Sequence, residues 1–245
     1  MCIRDSPESL PITHDSRIVP IEKYGESKFE AEQLCRKYES SSMAVKIIRP
    51  RTILGQGRLG IFSLFYKWIF KGYDIFILGL GNESYQFVHP QDLAEGLIKA
   101  IEINGNVTLN LGALDFGFFH EELEQLCSFS NSGSRVRRLP EFPFRTLLRI
   151  GSRLRILPFA PYQVELYSKS MYFDSKLDWE ALNYIPRYSN LECLIEGFQW
   201  YQNNLDTLSL PNKSIHKIEI RSLTVKFIEK TFLRFWKFLN KTKDY

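Results

Sequence analysis

The chain alternates between segments whose apolar residues recur at helical spacing and short runs rich in β-branched residues. Leu93, Leu97, Ile98 and Ile101 form one apolar stripe after Pro90, which predicts an amphipathic helix. Short apolar runs between turn residues predict strands. The patterns predict helices at Ile21–Glu39, Ile61–Lys71, Pro90–Ile103, Phe119–Phe129, Trp179–Leu182 and Leu191–Asn203, and a basic amphipathic helix mixed with prolines within Pro140–Leu157. Strands are predicted at Ala44–Arg49, Ile75–Leu78, Val107–Leu111 and Arg135–Leu139.

The first predicted helix carries the most informative residue pair in the chain. Tyr24 precedes Lys28 by four residues, so both side chains share one helix face, about one turn apart. A phenol can give or take a proton, and an ammonium beside it lowers its pKa. Because this helix leads into a β-branched run, the segment predicts half of an α/β unit with redox chemistry at an alcohol or ketone.

The same spacing recurs at Tyr172 and Lys176 in a different setting. Residues 171–175, Met-Tyr-Phe-Asp-Ser, predict a strand running into a turn. The two side chains of this second pair are therefore not expected to share a helix face, and only Tyr24 and Lys28 remain candidates.

With that context, three stretches resemble the extended short-chain dehydrogenase/reductase family, the NAD-dependent epimerase/dehydratase group. They are Pro11–Glu32, which contains Tyr24-Gly-Glu-Ser-Lys28, then Ile48–Gly57 and Tyr85–Ala94. The resemblance covers about residues 7–204. It implies an α/β fold: the C-terminal strands of a Rossmann-like parallel sheet, a small α+β substrate domain and a C-terminal amphipathic helix. It also implies NAD or NADP as cofactor, with oxidation, reduction or epimerisation at a secondary alcohol or ketone carbon.

The resemblance also assigns roles to individual residues. Tyr24 would be the catalytic acid and base, and Lys28 would assist it by lowering its pKa and would bind the nicotinamide ribose. Tyr24, Lys28, Pro50 and Thr52 would contact the cofactor, whereas Arg51 and Gln86 are candidates for substrate contacts.

Substrate class is predicted from what the sequence lacks. Members that act on nucleotide sugars often carry an arginine near Gln86 and an asparagine within 51–57, and this chain has neither. Glutamine cannot bind a diphosphate with charge-assisted, bidentate hydrogen bonds. We therefore expect a less charged, sterol-like or other alcohol or ketone substrate. A nucleotide-sugar epimerase or dehydratase is the first alternative, and a non-catalytic NAD(P)-binding scaffold is the second.

The family's glycine-rich pyrophosphate turn and its catalytic Ser or Thr are expected before Tyr24, where only 23 residues stand. We therefore expect the C-terminal portion of a longer enzyme, inactive by itself, with residues 1–6 a non-native scar. Gly55-Gln-Gly-Arg-Leu-Gly60 has the dinucleotide-binding pattern but lacks the acidic partner at the end of the next strand. We interpret its glycines as turn residues.

Charge is concentrated in a tail, residues 205–245. The chain carries +4 overall, while 213–245 hold nine Lys or Arg against three acidic residues. Residues 220–243 predict a helix with opposed basic and aromatic faces, suited to peripheral membrane contact or to docking on protein. Scattered cysteines favour a reducing compartment, and no metal-ligand spacing occurs. We expect a cytoplasmic enzyme, membrane-associated at most, with a small-molecule substrate and no nucleic-acid partner; a homodimer stays open.

Overall fold

The computed structural model describes residues 10–17, 20, 23–40, 43–153 and 169–208. The predicted scar at 1–6 lies outside these residues, and so does the predicted membrane-binding segment at 220–243. In the part of the chain that is described, no helix is long and apolar enough to cross a membrane.

Helices and short parallel strands alternate along the described chain. The helices are α1 Lys23–Lys37, α2 Phe62–Phe70, α3 Pro90–Glu102, α4 Phe119–Ser130, α5 Glu141–Arg153, α6 Lys176–Ala181, α7 Asn190–Asn203 and α8 Leu205–Leu208. The strands are β1 Lys46–Pro50, β2 Thr52–Ile53, β3 Ile75–Leu78, β4 Phe87–Val88, β5 Val107–Leu111 and β6 Val136–Leu139.

The strands form three parallel pairs, β1 with β5, β2 with β4 and β3 with β6. In the first pair Arg49 is opposite Asn110 and Ile47 is opposite Thr108. Parallel strands need crossover connections, and here helices supply them. The predicted α/β class with a partial, Rossmann-like parallel sheet is therefore confirmed.

Two apolar clusters hold these layers together. The larger one joins α2, α4 and α7 over β3 and β4, where Tyr66, Phe87 and Phe198 are almost completely buried. The smaller one packs α3 and α6 against one face of β1 and β5 and is centred on Trp179, whose Nε1 donates to the Gly112 carbonyl at 2.8 Å. The opposite face of β1 and β5 meets α1 through polar side chains.

Several predicted bounds need correction. The predicted helix at 179–182 begins at Lys176 and ends at Ala181. Strands β2 and β4 and helix α8 were not predicted. A strand of two residues has no periodicity to detect, and its pairing partner is distant in sequence. Helix α5 lies within the predicted helical stretch Pro140–Leu157, whose last residues are outside the described part of the chain. The other predicted helices and strands are present within two residues of their predicted ends.

Candidate active site

The direction of α1 is fixed by two contacts with the first strand pair. The Glu32 carboxylate binds the guanidinium of Arg49, with 3.0 Å from Nε to Oε2. One turn later, Arg36 Nη2 donates to Thr108 Oγ1 at 2.9 Å. Thr108 lies two residues before Asn110, the partner of Arg49. Helix α1 therefore runs antiparallel to β1, and its N-terminal turns extend past the carboxyl ends of both strands.

Tyr24 lies at that carboxyl end. It precedes Glu32 by eight residues, which is about 12 Å along a helix axis. Its side chain is 46 % exposed, and Lys28 Nζ lies 5.5 Å from the centre of its ring. The structure thus brings the two predicted catalytic residues together on one accessible helix face. In open α/β sheets ligands bind outside the carboxyl ends of the strands, and this pair occupies that position.

The second Tyr–Lys pair is arranged differently, as predicted. Tyr172 stands beside a bridge between Phe173 and Ile12, and Lys176 begins α6. The Tyr172 ring contacts Phe116, with 5.2 Å between ring centres. A strand-like residue and a helix N-terminal residue do not share a helix face, so the expectation for this pair is confirmed.

The loop after β1 leaves the sheet at the same end. Pro50 is the last residue of β1, and Thr52 begins β2 with an exposed side chain. Between them, the backbone N–H of Arg51 donates to the Leu111 carbonyl at 2.8 Å. The hydrogen bond continues the strand pairing by one residue and holds this loop at the ends of β1 and β5.

Arg51 is a buried cation with an unusual environment. Its side chain is only 5 % exposed, its guanidinium carbon lies 5.2 Å from the centre of the Phe173 ring, and its Nε has no hydrogen-bond partner. Burial of an unpaired cation costs several kcal/mol even after relaxation, on the order of 3–5. A cation–π contact offsets only about 0.5–2 kcal/mol of this.

Gln86, in contrast to Arg51, has hydrogen-bond partners in the protein backbone. It is 1 % exposed, its Oε1 accepts from the Phe173 N–H at 2.8 Å, and its Nε2 donates to the Ala113 carbonyl at 2.8 Å. Both ends of the amide are therefore engaged by backbone. A Cβ on Gly112 would approach the Gln86 carboxamide carbon to 2.3 Å, so glycine is needed for this packing.

The G-x-G-x-x-G segment forms a tight turn. Gly55, Gly57 and Gly60 all have positive φ, and Gly55 pairs with Arg58. A Cβ on Gly55 would lie 2.7 Å from His89 Cδ2. The glycines therefore serve the turn and its close approach to His89, in agreement with their interpretation as turn residues.

His89 and the carboxylate that follows it are both structural. Burial lowers the pKa of His89 against the opposing charge of Glu196, whose Oε2 lies 3.0 Å from Nε2. Asp92 is 1 % exposed in the first turn of α3 and accepts hydrogen bonds from the Tyr184 hydroxyl and from the backbone N–H groups of Arg187 and Tyr188. It ties the 184–188 loop to α3.

Two buried carboxyl groups were not found from the sequence. Asp178 lies 2.9 Å from His14 Nε2 and accepts the Asn110 backbone N–H; burial raises its pKa, although these two partners act in the opposite direction. Burial raises the pKa of Glu122 to about 7. An acidic residue inside an ordinary apolar pattern gives no signal of such burial. Within the described ranges, no His, Cys, Asp and Glu side chains form a group that could hold a metal ion.

Comparisons with known proteins show what the chain is similar to. Residues 4–112 match the sequence model of the NAD dependent epimerase/dehydratase family. The uncharacterized protein y4nG of Sinorhizobium fredii is 37 % identical over 217 residues, which are 88 % of this chain and 55 % of that protein. The UDP-glucuronic acid decarboxylase 1 of Danio rerio is 27 % identical over 188 residues, 71 % of this chain and 44 % of that protein.

A structural comparison agrees. MoeE5 in complex with UDP-glucose and NAD superposes with a TM-score of 0.60 at 17 % identity, over 83 % of this chain and 63 % of MoeE5. The predicted resemblance to the NAD-dependent epimerase/dehydratase group is thereby confirmed over residues 4–112, and the structural likeness shows a shared fold. The chain spans about half the length of the curated relatives it matches.

Proposed function

We propose that the protein carrying this chain is an NAD-dependent enzyme that acts on a nucleotide sugar, with Tyr24 as its catalytic acid and base. The position of Tyr24 and Lys28 beyond the carboxyl ends of β1 and β5 carries this proposal. The relatives add support, because they include a decarboxylase named for UDP-glucuronic acid and a structure with UDP-glucose and NAD.

The chemistry of the pair suits proton transfer at a sugar hydroxyl. The Tyr24 phenol is accessible, so a substrate hydroxyl can reach it. The Lys28 ammonium lies 5.5 Å from the centre of the Tyr24 ring, so a positive charge stands beside the reacting phenol. When the hydroxyl loses its proton to Tyr24, its carbon becomes able to release a hydride, and NAD is the group that supplies the hydride acceptor.

The residues near this pair fit a dinucleotide at the same place. Lys28 presents an exposed ammonium that can donate to ribose hydroxyls, and Thr52 presents an exposed hydroxyl on the loop after β1. Pro50 shapes the start of that loop. These assignments of Lys28, Pro50 and Thr52 are part of the proposal.

The preference for a less charged substrate rested on Gln86 and on the missing asparagine within 51–57, and the part drawn from Gln86 loses its basis. Gln86 is buried with both ends of its amide bound to backbone, so its identity reflects packing. The nucleotide-sugar alternative is therefore the better supported one. The scaffold alternative predicts a protein that binds NAD but converts no sugar nucleotide.

The test is substitution of Tyr24 in the complete gene product that contains this chain. Tyr24→Phe removes one hydroxyl, and we expect kcat to fall by about 100-fold or more, with NAD affinity nearly unchanged. Conversion of UDP-glucuronate and UDP-glucose is followed by NMR, and NAD binding by calorimetry. Tyr38→Phe is the control, because it removes an exposed phenol hydroxyl just past the other end of α1.

Lys28→Ala gives an independent check. It should weaken NAD binding as well as lower kcat, since both the ribose contact and the charge beside Tyr24 are lost. Lys37→Ala removes an exposed ammonium from the last turn of α1 and should change neither quantity. A Tyr24→Phe enzyme that keeps most of its kcat would refute the assignment of Tyr24, and NAD binding without turnover in the unmodified protein would favour the scaffold.

A further inference from the structure

Two arginines near the end of β1 are both buried but have opposite surroundings. Arg49 is 7 % exposed and binds the carboxylate of Glu32. Arg51 is 5 % exposed, and its buried Nε has no hydrogen-bond partner. Among the described residues, no acceptor is bound by its guanidinium and no carboxylate lies within ion-pair distance. Buried charges in proteins are normally paired. Arg51 therefore lacks the partner that its burial calls for.

The position of Arg51 indicates where that partner comes from. Its backbone is fixed at the ends of β1 and β5 by the hydrogen bond to Leu111, on the side of the sheet where Tyr24 lies. A guanidinium packed on an aromatic face keeps its in-plane N–H groups available. Nε is fully buried, whereas the terminal nitrogens are not among the buried, unpartnered atoms. The side chain therefore lies against Phe173, and its terminal N–H groups remain available to donate hydrogen bonds to a ligand.

We propose that Arg51 is the anion-binding residue of the substrate site and binds an oxyanion of the substrate in a bidentate manner. The inference rests on the proposed function and adds the class of group that is recognised. The oxyanion is either a carboxylate on the sugar or the diphosphate, since both match the guanidinium fork. Arg51 is then the residue that binds charge, while Gln86 serves packing. It follows that the substrate carries an anionic group.

The experiment compares ligand binding by the complete gene product and by its Arg51→Met variant. Methionine keeps much of the length of the side chain and its contact with Phe173 but removes charge and donors. Arg138→Met is the control, because it removes a cation from an exposed position on β6. Calorimetry with UDP-glucuronate, UDP-glucose and uridine measures affinity, and thermal unfolding measures the ligand-free proteins.

We expect Arg51→Met to weaken anionic ligands by at least about tenfold and to leave uridine unchanged. Loss confined to UDP-glucuronate identifies the sugar carboxylate, whereas equal loss for both sugar nucleotides identifies the diphosphate. The ligand-free variant should unfold at the same or a higher temperature, because an unpaired buried charge has been removed. Unchanged affinities together with a lower unfolding temperature would show a packing role and overturn the proposal.

A failure of the proposed function can be distinguished from a failure of the anion site. If the unmodified protein binds neither sugar nucleotide, inorganic phosphate at constant ionic strength becomes the probe. Phosphate should then raise the unfolding temperature of the unmodified protein more than that of Arg51→Met, and an equal rise in both would refute the anion site. If Arg51→Met does not fold, Arg51→Gln, which keeps a polar head without charge, is expected to show the same losses.

Discussion

The buried ion pair between Glu32 and Arg49 positions helix α1, which carries Tyr24, and its removal should be strongly destabilising. Both side chains are about 7 % exposed, and Arg36 binds the same carboxylate at 3.1 Å from a half-exposed position. Loss of one partner of a buried pair costs about 3–5 kcal/mol, because the remaining charge stays buried. Glutamine keeps one acceptor oxygen, so we expect Glu32→Gln to lower the free energy of unfolding by about 3 kcal/mol.

Urea unfolding of the protein measures this loss. Glu39→Gln is the matched control, since Glu39 also faces Arg36, at 3.5 Å, but is more exposed; its pair is worth about 1 kcal/mol or less. Glu32→Met combined with Arg49→Met removes both charges and should recover most of the lost stability. Equal effects of Glu32→Gln and Glu39→Gln would refute the reasoning that burial gives this pair its importance.

The pair also has a defined pH dependence. Burial opposes ionisation of Glu32, but Arg49 and then Arg36 outweigh it and hold the pKa of Glu32 below its ordinary value of 4.5. A depressed pKa means that the folded state binds fewer protons than the unfolded state between the two values. The stabilisation is therefore present above pH 4.5 and is lost as the pH falls through the folded pKa. In Glu32→Gln this acid-dependent loss should be absent.

Three further outcomes follow from buried contacts. Gly112→Ala should destabilise by about 1–3 kcal/mol or more, because its Cβ would meet Gln86 at 2.3 Å; Gly117→Ala, with its nearest neighbour at 4.0 Å, should be nearly neutral in the same urea assay. Burial raises the pKa of Glu122 from 4.5 to about 7. The free energy of unfolding should therefore fall by about 3 kcal/mol as the pH rises from 4.5 through about 7. Urea titrations at several pH values should show that Glu122→Gln removes this pH dependence. Asp92→Ala leaves three donors unsatisfied and should lower the unfolding free energy by about 2–5 kcal/mol, measured the same way.

The sequence predicted elements where apolar spacing is long and regular. Helix α3 shows this, since its stripe and the proline at its first position give both its type and its start. The two-residue strands β2 and β4 could not be predicted, because their partners are about 35 residues apart in sequence. Whether a strand of that length exists depends on tertiary pairing, which a local pattern does not contain.

The residues of the candidate site also differ in how far the sequence could predict them. Tyr24 and Lys28 were found because their spacing, within a stretch of helical pattern, places them on one helix face, and the structure adds the direction in which that face points. The pairing of Arg49 and the lack of a partner for Arg51 depend on which side chains approach from α1 and from 171–175. Two arginines separated by one residue are equivalent in the sequence and differ only in the fold.

The sequence and the folded structure lead to different expectations for the charge of the substrate. The structure is the better guide, because it shows which side chains are already engaged. Gln86 is 1 % exposed and its amide binds backbone at 2.8 Å at each end, so its surroundings are explained by packing. Arg51 has the opposite property, because its donors are unused and its burial is unfavourable until an anion arrives. An oxyanion bound there gains the charge-assisted hydrogen bonds that no described residue supplies. Under the proposed role of Arg51, the burial of its unpaired charge destabilises the ligand-free site, and an anionic group on the substrate relieves that cost.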